Sequence, residues 1–421
     1  MNSRPLLRAT GRRTEPFFQH QNLGHTRCYR YTRLSPHRPE LRFLDRPVRR
    51  QLQYRHASSW QEIKRAAREH PYTMTLGVTC VGISLSILGW FVWWYTKYVI
   101  PSYENIPDPV AEKLRRAIYF TNIQLDVRKA NRYYREALEK AQECGMDQWS
   151  DEVMGIKIMV AFLFEKANDY ATSIRVLELV KRDALRWLEK EGKDHMADGR
   201  RTRVLAKACG ISGKLGELYG SPWIEDFDKS HAELLWAVET VLKEQKRRNT
   251  EGVKEGEGEW MDDEEIGGSM EALARSYQEK NQHYLAAPLY LQALRHCPSD
   301  SCHSVVLMTN LASAIAEQRP PSSDSAKSMD MPSLTEQARL WLQKSLDLAK
   351  IIPPDQYSSE CDEGRVAALH NLGELAERGN RLHEAKRSYE EAKTIAKGVG
   401  FEEGLKEATI SLNRVQKALA V

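Results

Sequence analysis

The sequence predicts an all-α fold in which paired helices repeat along the chain, preceded by a single transmembrane helix. Three observations lead to this prediction. Runs of Ala, Leu, Glu, Lys and Arg at helical spacing are abundant, whereas strand signals are scarce. An uncharged apolar run extends from Pro71 to Thr96. A pattern of small and aromatic residues then recurs along the rest of the chain.

Charge is unevenly distributed along the 421 residues, whose formal net charge is +4. Residues 1–57 contain 13 Arg, no Lys and three acidic residues, so their net charge is +10. The remainder has 49 basic and 55 acidic residues and is therefore net negative. Because the basic excess is confined to one end, we expect no nucleic acid among the partners of the protein as a whole.

Residues 1–57 have the composition of a mitochondrial transit peptide, rich in Arg, Ser and Thr and poor in acids. They lack the apolar core of a secretory signal peptide. The segment from Tyr54 to Ser58 places Arg55 just before small residues, as at a processing site. The alternative is a disordered basic arm that binds RNA or anionic lipid.

A transmembrane helix is predicted at 73–96, after a short matrix-side segment at 58–72. The apolar run is long enough to cross about 30 Å of hydrocarbon. Aromatic rings, which prefer the headgroup level, cluster at its C-terminal end. These are Trp90, Trp93, Trp94, Tyr95 and Tyr98.

Flanking charge predicts the orientation of this helix. Lys64, Arg65 and Arg68 precede it, whereas Lys97 is followed by acidic residues. The more basic side should face the matrix. We therefore expect a single-pass inner-membrane protein with its N-terminus in the matrix and residues 100–421 in the intermembrane space.

Small residues recur along one face of the predicted transmembrane helix, at steps of three and four. Such a face lets a second helix approach closely, so it is a candidate packing face. Its members are Thr75, Thr79, Gly82, Ser86 and Gly89. Alternatively, these residues are present only because small residues are common in membrane helices.

Residues 110–420 predict a tetratricopeptide-like (TPR-like) array, a superhelix of helix pairs about 34 residues long in which small residues lie at the helix crossing. The clearest copy, at 270–298, matches at Leu273, Ala274, Tyr277, Ala286, Tyr290, Ala293 and Pro298. Two further clear copies centre on Leu215-Gly216 and Leu372-Gly373, and three weaker ones on Ala130, Ala161 and Asn310. The alternative is a generic helical bundle.

Two loops are predicted within the array, and a final helix at 402–420 is predicted to cap it. Residues 248–267 are strongly acidic, so we expect this loop to be disordered. The loop at 318–333 is rich in Pro and Ser.

No catalytic, cofactor-binding or metal-binding residues are predicted. The sequence has neither H-E-x-x-H nor G-x-S-x-G, and a phosphate-loop-like segment at 210–215 lacks the required spacing. Cys297 and Cys302 have no second cysteine pair to complete a zinc site. We therefore expect a protein that is not an enzyme, with unpaired or buried cysteines.

The first helices of the repeats should line a groove for a peptide of a partner protein. Residues of the last three repeats that share this predicted face form the candidate peptide groove. They are Arg275, Gln278, Asn310, His370, Asn371 and Glu374. For any one of them, a role in the repeat pattern itself is an alternative.

The whole layout resembles the fungal inner-membrane tetratricopeptide adaptors of the i-AAA protease. The resemblance rests on the Arg-rich leader, the single apolar span, the segment Tyr103-Glu104-Asn105-Ile106-Pro107 and the repeats. It implies that the protein recruits unfolded or misfolded proteins of the intermembrane space and inner membrane to the i-AAA protease complex, in mitochondrial protein quality control.

Two other function classes remain open from the sequence. An assembly or maintenance factor of a respiratory complex would have the same leader, span and repeats. An outer-membrane import receptor also combines an N-terminal anchor with such repeats, but it should lack a cleaved transit peptide.

Overall fold

The computed structural model describes residues 68–99, 105–318 and 331–420. All regular elements in these ranges are helical, which confirms the predicted fold class. The predicted transit peptide at 1–57 and most of the segment at 58–72 lie outside the described residues. The chain divides into two units, an N-terminal one that contains the apolar helix and a helical array from Ile106 onward.

The apolar helix, α1, spans Pro71–Trp94 and continues as a π-helical turn at Tyr95–Val99. It begins at a proline, whose fixed φ suits the first helical turn. Residues Met74–Tyr98 have a mean hydropathy of 1.8, and none of this stretch is buried. Its length and composition suffice to cross a membrane.

Within the described residues, the second unit consists of six helix pairs and a final helix. The pairs are α2 (Asp108–Asn122) with α3 (Val127–Glu143), α4 (Asp151–Lys166) with α5 (Tyr170–Lys190), α6 (Arg200–Tyr219) with α7 (Phe227–Glu251), α8 (Asp263–Glu279) with α9 (His283–His296), α10 (Cys302–Ala316) with α11 (Met331–Ile351), and α12 (Ser359–Arg378) with α13 (Leu382–Val399). The final helix, α14, spans Glu402–Leu419. Each pair corresponds to one predicted repeat.

The two helices of a pair cross where the sequence has its small residues. A Cβ atom on Gly373 would lie 2.6 Å from the Tyr389 ring, and one on Gly216 would lie 2.5 Å from Leu234 Cγ. Ala274 is fully buried at the equivalent place in α8. These contacts account for the glycine or alanine at this position of the repeat.

A buried tyrosine of the second helix is hydrogen bonded to the first helix in three of the pairs. Tyr290 donates to Gln278 Oε1 at 2.7 Å, and Tyr389 donates to Glu377 Oε2 at 3.0 Å. In the first pair the hydroxyls of Tyr134 and Thr121 are 3.1 Å apart. Because each phenol is fully buried, its hydroxyl needs such a partner.

The acidic segment at 248–267 differs from the disordered loop that we predicted. α7 continues to Glu251, and α8 begins at Asp263, leaving a short connection. Within it the Glu257 side chain is buried and forms an ion pair with Arg247. A buried charge requires a partner, and this pair fixes the loop.

Close backbone contact also holds this connection. Gly256 has φ +79°, and a Cβ atom there would lie 2.0 Å from the Ala197 carbonyl oxygen. Only glycine fits both the conformation and the space. For the polar loop predicted at 318–333, residues 319–330 lie outside the described residues, and the helix that follows begins at Met331.

Candidate protein-binding surface

Five of the six predicted groove residues are buried in helix packing. They are Gln278, Asn310, His370, Asn371 and Glu374, whereas Arg275 is exposed. Gln278 is occupied as the acceptor for the Tyr290 hydroxyl. The structure therefore corrects the predicted open groove, because residues in these positions hold the repeats together rather than face solvent.

The final helix covers two of the predicted groove residues of α12, His370 and Glu374. His370 Nε2 lies 3.2 Å from Ser411 Oγ of α14, and its ring packs 5.2 Å from the Tyr389 ring. Burial lowers the pKa of His370 to about 4, so the imidazole is neutral at physiological pH.

Glu374 lies in the same covered region and faces Arg414 of α14 at 3.9 Å and Arg378 at 3.6 Å. Burial raises its pKa to about 7, although the two arginines oppose that rise. At this distance the arginines do not fully replace the lost hydration of the carboxylate.

Three first helices are joined by one histidine. His303 of α10 lies 3.0 Å from Glu271 of α8 through Nε2, and 2.7 Å from Glu360 of α12 through Nδ1. Arg275 pairs with the same Glu271 at 3.2 Å. Burial alone would lower the pKa of His303, but the hydrogen bonds to both carboxylates outweigh it and raise the pKa to about 10. The imidazole is therefore a cation that binds two carboxylates.

A disulfide bond lies next to this histidine along the chain. Cys302 and Cys361 are bonded, with their Cα atoms 4.6 Å apart, and join the start of α10 to the start of α12. The prediction of unpaired thiols is therefore wrong for these two cysteines. The sequence does not reveal this pairing, because the two cysteines are 59 residues apart. Only the stacking of successive repeats brings the two helix ends together.

Two open clefts lie in the N-terminal half of the array, away from the predicted groove. One, of about 490 Å³, is formed by α5, α6 and α7. In it Lys181 pairs with Glu233 at 2.5 Å and lies 4.1 Å from the centre of the Trp236 ring. The lining residues are Glu178, Lys181, Arg182, Leu185, Arg186, Glu189, Leu215 and Glu233. Its charges are mixed, so it favours neither an anion nor a cation.

The second cleft, of about 590 Å³, is aromatic and lies at the turns between paired helices. Trp223 is 71% exposed and stacks on Tyr170, with ring centroids 5.9 Å apart and an interplanar angle of 7°. Ile224 and Ala171 add apolar surface, and Asp169 lies at the rim. The sequence pattern does not reveal this pair, because both rings lie at or beside helix ends rather than at repeat positions.

The residues of the candidate packing face all belong to α1. A Cβ atom on Gly82 or Gly89 would meet no other atom within 4 Å. Thr79 and Ser86 donate their hydroxyl hydrogen bonds to carbonyl oxygens of the same helix, at 2.9 Å each. Polar groups satisfied in this way add little cost in an apolar environment.

The residues that the structure describes show no metal-binding site. Within 68–99, 105–318 and 331–420, no group of three or more His, Cys, Asp or Glu side chains could hold a metal ion. His303 and its two carboxylates are bound to one another.

A relative found by comparison with known proteins covers most of the chain. It is a TPR repeat-containing protein of Schizosaccharomyces pombe, 26% identical over 373 residues, which are 88% of this chain and 91% of that protein. Protein MRG3-like of Saccharomyces cerevisiae is 28% identical over 116 residues, which are 27% of this chain and 23% of that protein. No family model matches the chain.

The solved structures that match are only distantly similar to this chain. The crystal structure of BtubC (BKLC) from P. vanneervenii matches with a TM-score of 0.42 and 14% sequence identity, over 69% of this chain and 91% of that chain. The helix pairs of this chain, and its similarity to a protein described by its TPR repeats, indicate a TPR-like repeat architecture.

Proposed function

We propose that the chain is a non-enzymatic adaptor of the mitochondrial inner membrane. In this proposal α1 crosses the membrane from the matrix, and the helical array lies in the intermembrane space. The array binds unfolded or misfolded proteins and recruits them to the i-AAA protease, as the resemblance of the layout implies.

The aromatic cleft is the observation on which the proposed substrate binding rests. Unfolded proteins expose apolar side chains that folded proteins bury, and an exposed tryptophan stacked on a tyrosine offers them a partner surface. Such a surface has no need of a defined sequence in its ligand, because apolar contact is not directional. Trp223 is the residue whose loss should matter most.

The disulfide bond supports the proposed location of the helical array in the intermembrane space. Disulfide bonds persist in oxidising compartments and are rare where thiols are kept reduced. A bond between Cys302 and Cys361 is therefore compatible with an array outside the matrix, in line with the flanking charge of α1. The Arg-rich leader supports a mitochondrial destination.

The test of substrate binding uses the full-length protein purified in mild detergent. Trp223→Ala should reduce its binding to a permanently unfolded, carboxymethylated model protein several-fold. The matched control is Ile351→Ala, which removes an equally exposed apolar side chain elsewhere in the array. Unchanged binding by the Trp223 variant would contradict the proposed substrate site.

The test of recruitment uses the membrane helix. Replacing Gly82 and Ser86 with Leu fills the space that a partner helix would use and keeps the span apolar. Because interhelical contacts in membranes are individually worth about 1 kcal/mol, co-purification of the protease should fall only partly. The matched control replaces Gly77 and Ser84, which lie on the opposite face of the helix. Recovery of a respiratory complex in place of the protease would contradict the adaptor proposal.

The test of topology is protease treatment of mitochondria whose outer membrane has been opened. The array should be digested together with an intermembrane-space marker. Its survival while that marker is lost would place it in the matrix. Deletion of residues 1–57 should leave the protein outside mitochondria or misinserted, and normal localisation of that variant would rule out the predicted leader.

A further inference from the structure

The turn between α2 and α3 exposes apolar side chains at the start of the array. Ile123 is 75% exposed, and Tyr119 and Leu125 are each about half exposed. These three residues, together with Phe120, Tyr133 and the basic Arg128, Lys129 and Arg132, are called the first-turn surface below. Isolated exposed apolar residues are normal, so their meaning depends on what surrounds them.

Aromatic rings and cations surround this turn. The rings of Phe120 and Tyr133 stack with centroids 5.8 Å apart, and Tyr119 meets Phe120 edge-on at 5.3 Å. Lys129 Nζ lies 5.1 Å from the Phe120 ring centre, and the Arg132 guanidinium lies 5.0 Å from that of Tyr133. The surface therefore combines amphipathic rings, aliphatic side chains and basic groups, the combination found in elements that lie in a membrane interface.

The charge of this surface is opposite to that of its surroundings. Residues 112–136 contain seven basic and three acidic residues, a net charge of +4, whereas residues 58–421 as a whole are net negative. Two of the basic residues, Lys113 and Arg116, pair with Glu136 at 2.8 Å and Glu112 at 2.9 Å. Arg132 has Glu136 within 3.6 Å, and Lys129 has Asp126 within 3.1 Å. Both pairs are exposed and therefore weak, so the basic groups remain able to bind other anions.

The covalent chain sets an upper limit to the distance of this surface from the end of α1. Eight residues, 100–107, join the π-helical turn that ends at Val99 to the start of α2 at Asp108. Even a fully extended segment of that length reaches only about 28 Å. The turn lies at the other end of α2, whose 15 residues add about 22 Å to this reach. If α1 crosses a bilayer, the turn therefore stays within reach of the headgroups and meets them when α2 lies along the bilayer surface.

We propose that the first-turn surface docks on an anionic lipid bilayer. Ile123, Leu125 and Tyr119 enter the headgroup region, while Arg128, Lys129 and Arg132 bind lipid phosphates. Basic residues close to an anionic leaflet are attracted over about one Debye length, and apolar side chains add burial. This inference rests on the proposed membrane anchor, because the short tether keeps the surface within reach of the bilayer only if α1 spans it.

The test uses full-length protein reconstituted in vesicles, with the photoreactive residue p-benzoylphenylalanine in place of Ile123. The matched control carries it in place of Ile351, which is 74% exposed at the end of α11. Lipid crosslinking at 123 should exceed that at 351 several-fold in vesicles of phosphatidylcholine with phosphatidylglycerol. It should fall in phosphatidylcholine alone and at high salt.

A charge variant provides the second arm. Arg128→Glu with Arg132→Glu should lower crosslinking at 123 to the level of the control position. Lys397→Glu with Lys406→Glu changes charge equally at exposed sites of α13 and α14 and should have no effect. Crosslinking at 123 that does not exceed 351, or that is independent of lipid charge, would overturn the inference.

An extraction step distinguishes failure of α1 to anchor the protein from failure of the first-turn surface to dock. Vesicles are extracted with alkali before illumination, and protein that is released lacks a spanning helix. Retained protein without lipid crosslinks at 123 would contradict docking and leave the anchor intact. If illumination of native mitochondrial membranes crosslinks position 123 to a protein rather than to lipid, the surface belongs to an acidic protein partner and the lipid assignment is wrong.

Discussion

His303 Nε2 lies 3.0 Å from Glu271 Oε2, so a histidine of α10 and a glutamate of α8 form an ion pair between neighbouring repeats. Because the pKa of His303 is raised from 6.5 to about 10, its pairing stabilises the fold fully below pH 6.5. That contribution is lost as the pH rises through 10.

Replacing this histidine should therefore have a pH-dependent effect. We expect His303→Gln to lower the melting temperature of the detergent-solubilised protein more at pH 6 than at pH 10. His383→Gln, at an exposed histidine of α13, is the control and should show no such dependence. An equal effect of the His303 substitution at both values of pH would contradict the charged pairing.

Replacing Glu374 should have a different effect on stability, because its two arginine partners do not compensate the carboxylate for its burial. Its pKa is raised from 4.5 to about 7, so the free energy of unfolding falls as the pH rises from 4.5 through 7. Glu374→Gln should consequently raise the melting temperature at pH 8 and change it little at pH 4. Glu390→Gln, on an exposed face of α13, is the control. A destabilised Glu374 variant at pH 8 would mean that the ion pairs with Arg378 and Arg414 dominate.

The helix crossing at Gly373 should tolerate no side chain. A leucine there overlaps the Tyr389 ring, so Gly373→Leu should cost about 1–3 kcal/mol or more. Glu390→Ala should change the free energy of unfolding by less than about 0.5 kcal/mol. Thermal melting of the two variants provides the comparison, and indistinguishable melting curves would show that the repeat register is wrong.

The disulfide bond should be detectable and stabilising. Without reductant, a maleimide should label the exposed Cys144 but neither Cys302 nor Cys361. Replacing both bonded cysteines with Ser should lower the free energy of unfolding by about 2–4 kcal/mol. Cys144→Ser is the control and should have little effect. Labelling of all three thiols in freshly isolated protein would show that the bond is absent.

The repeat architecture was predictable because its signal is local. The small residue at each crossing, such as Gly373, and the tyrosine that packs on it, such as Tyr389, lie within one helix pair. Their spacing is therefore visible in the sequence. The same holds for α1, whose length and apolarity are properties of one segment.

The predicted groove and the predicted disordered loop differ from the structure because contacts between distant segments decide both. His370 has the repeat position of a groove residue, but α14 covers it, and nothing in its own repeat reveals this. Residues 248–267 have a disordered composition, yet one buried pair, Arg247 with Glu257, fixes the connection. In both cases tertiary packing overrides a local pattern.

The bond between Cys302 and Cys361 closes the chain between them into a covalent ring. A linear chain can be drawn end-first through a narrow pore as a single strand, but a ring must enter as two strands side by side. A machine that degrades proteins by threading them from the C-terminus would reach Cys361 after α14, α13 and most of α12. It would then have to admit two strands or wait until the bond was reduced. If the chain is the proposed adaptor and works beside such a machine, this bond would make it a poor substrate for threading from that end.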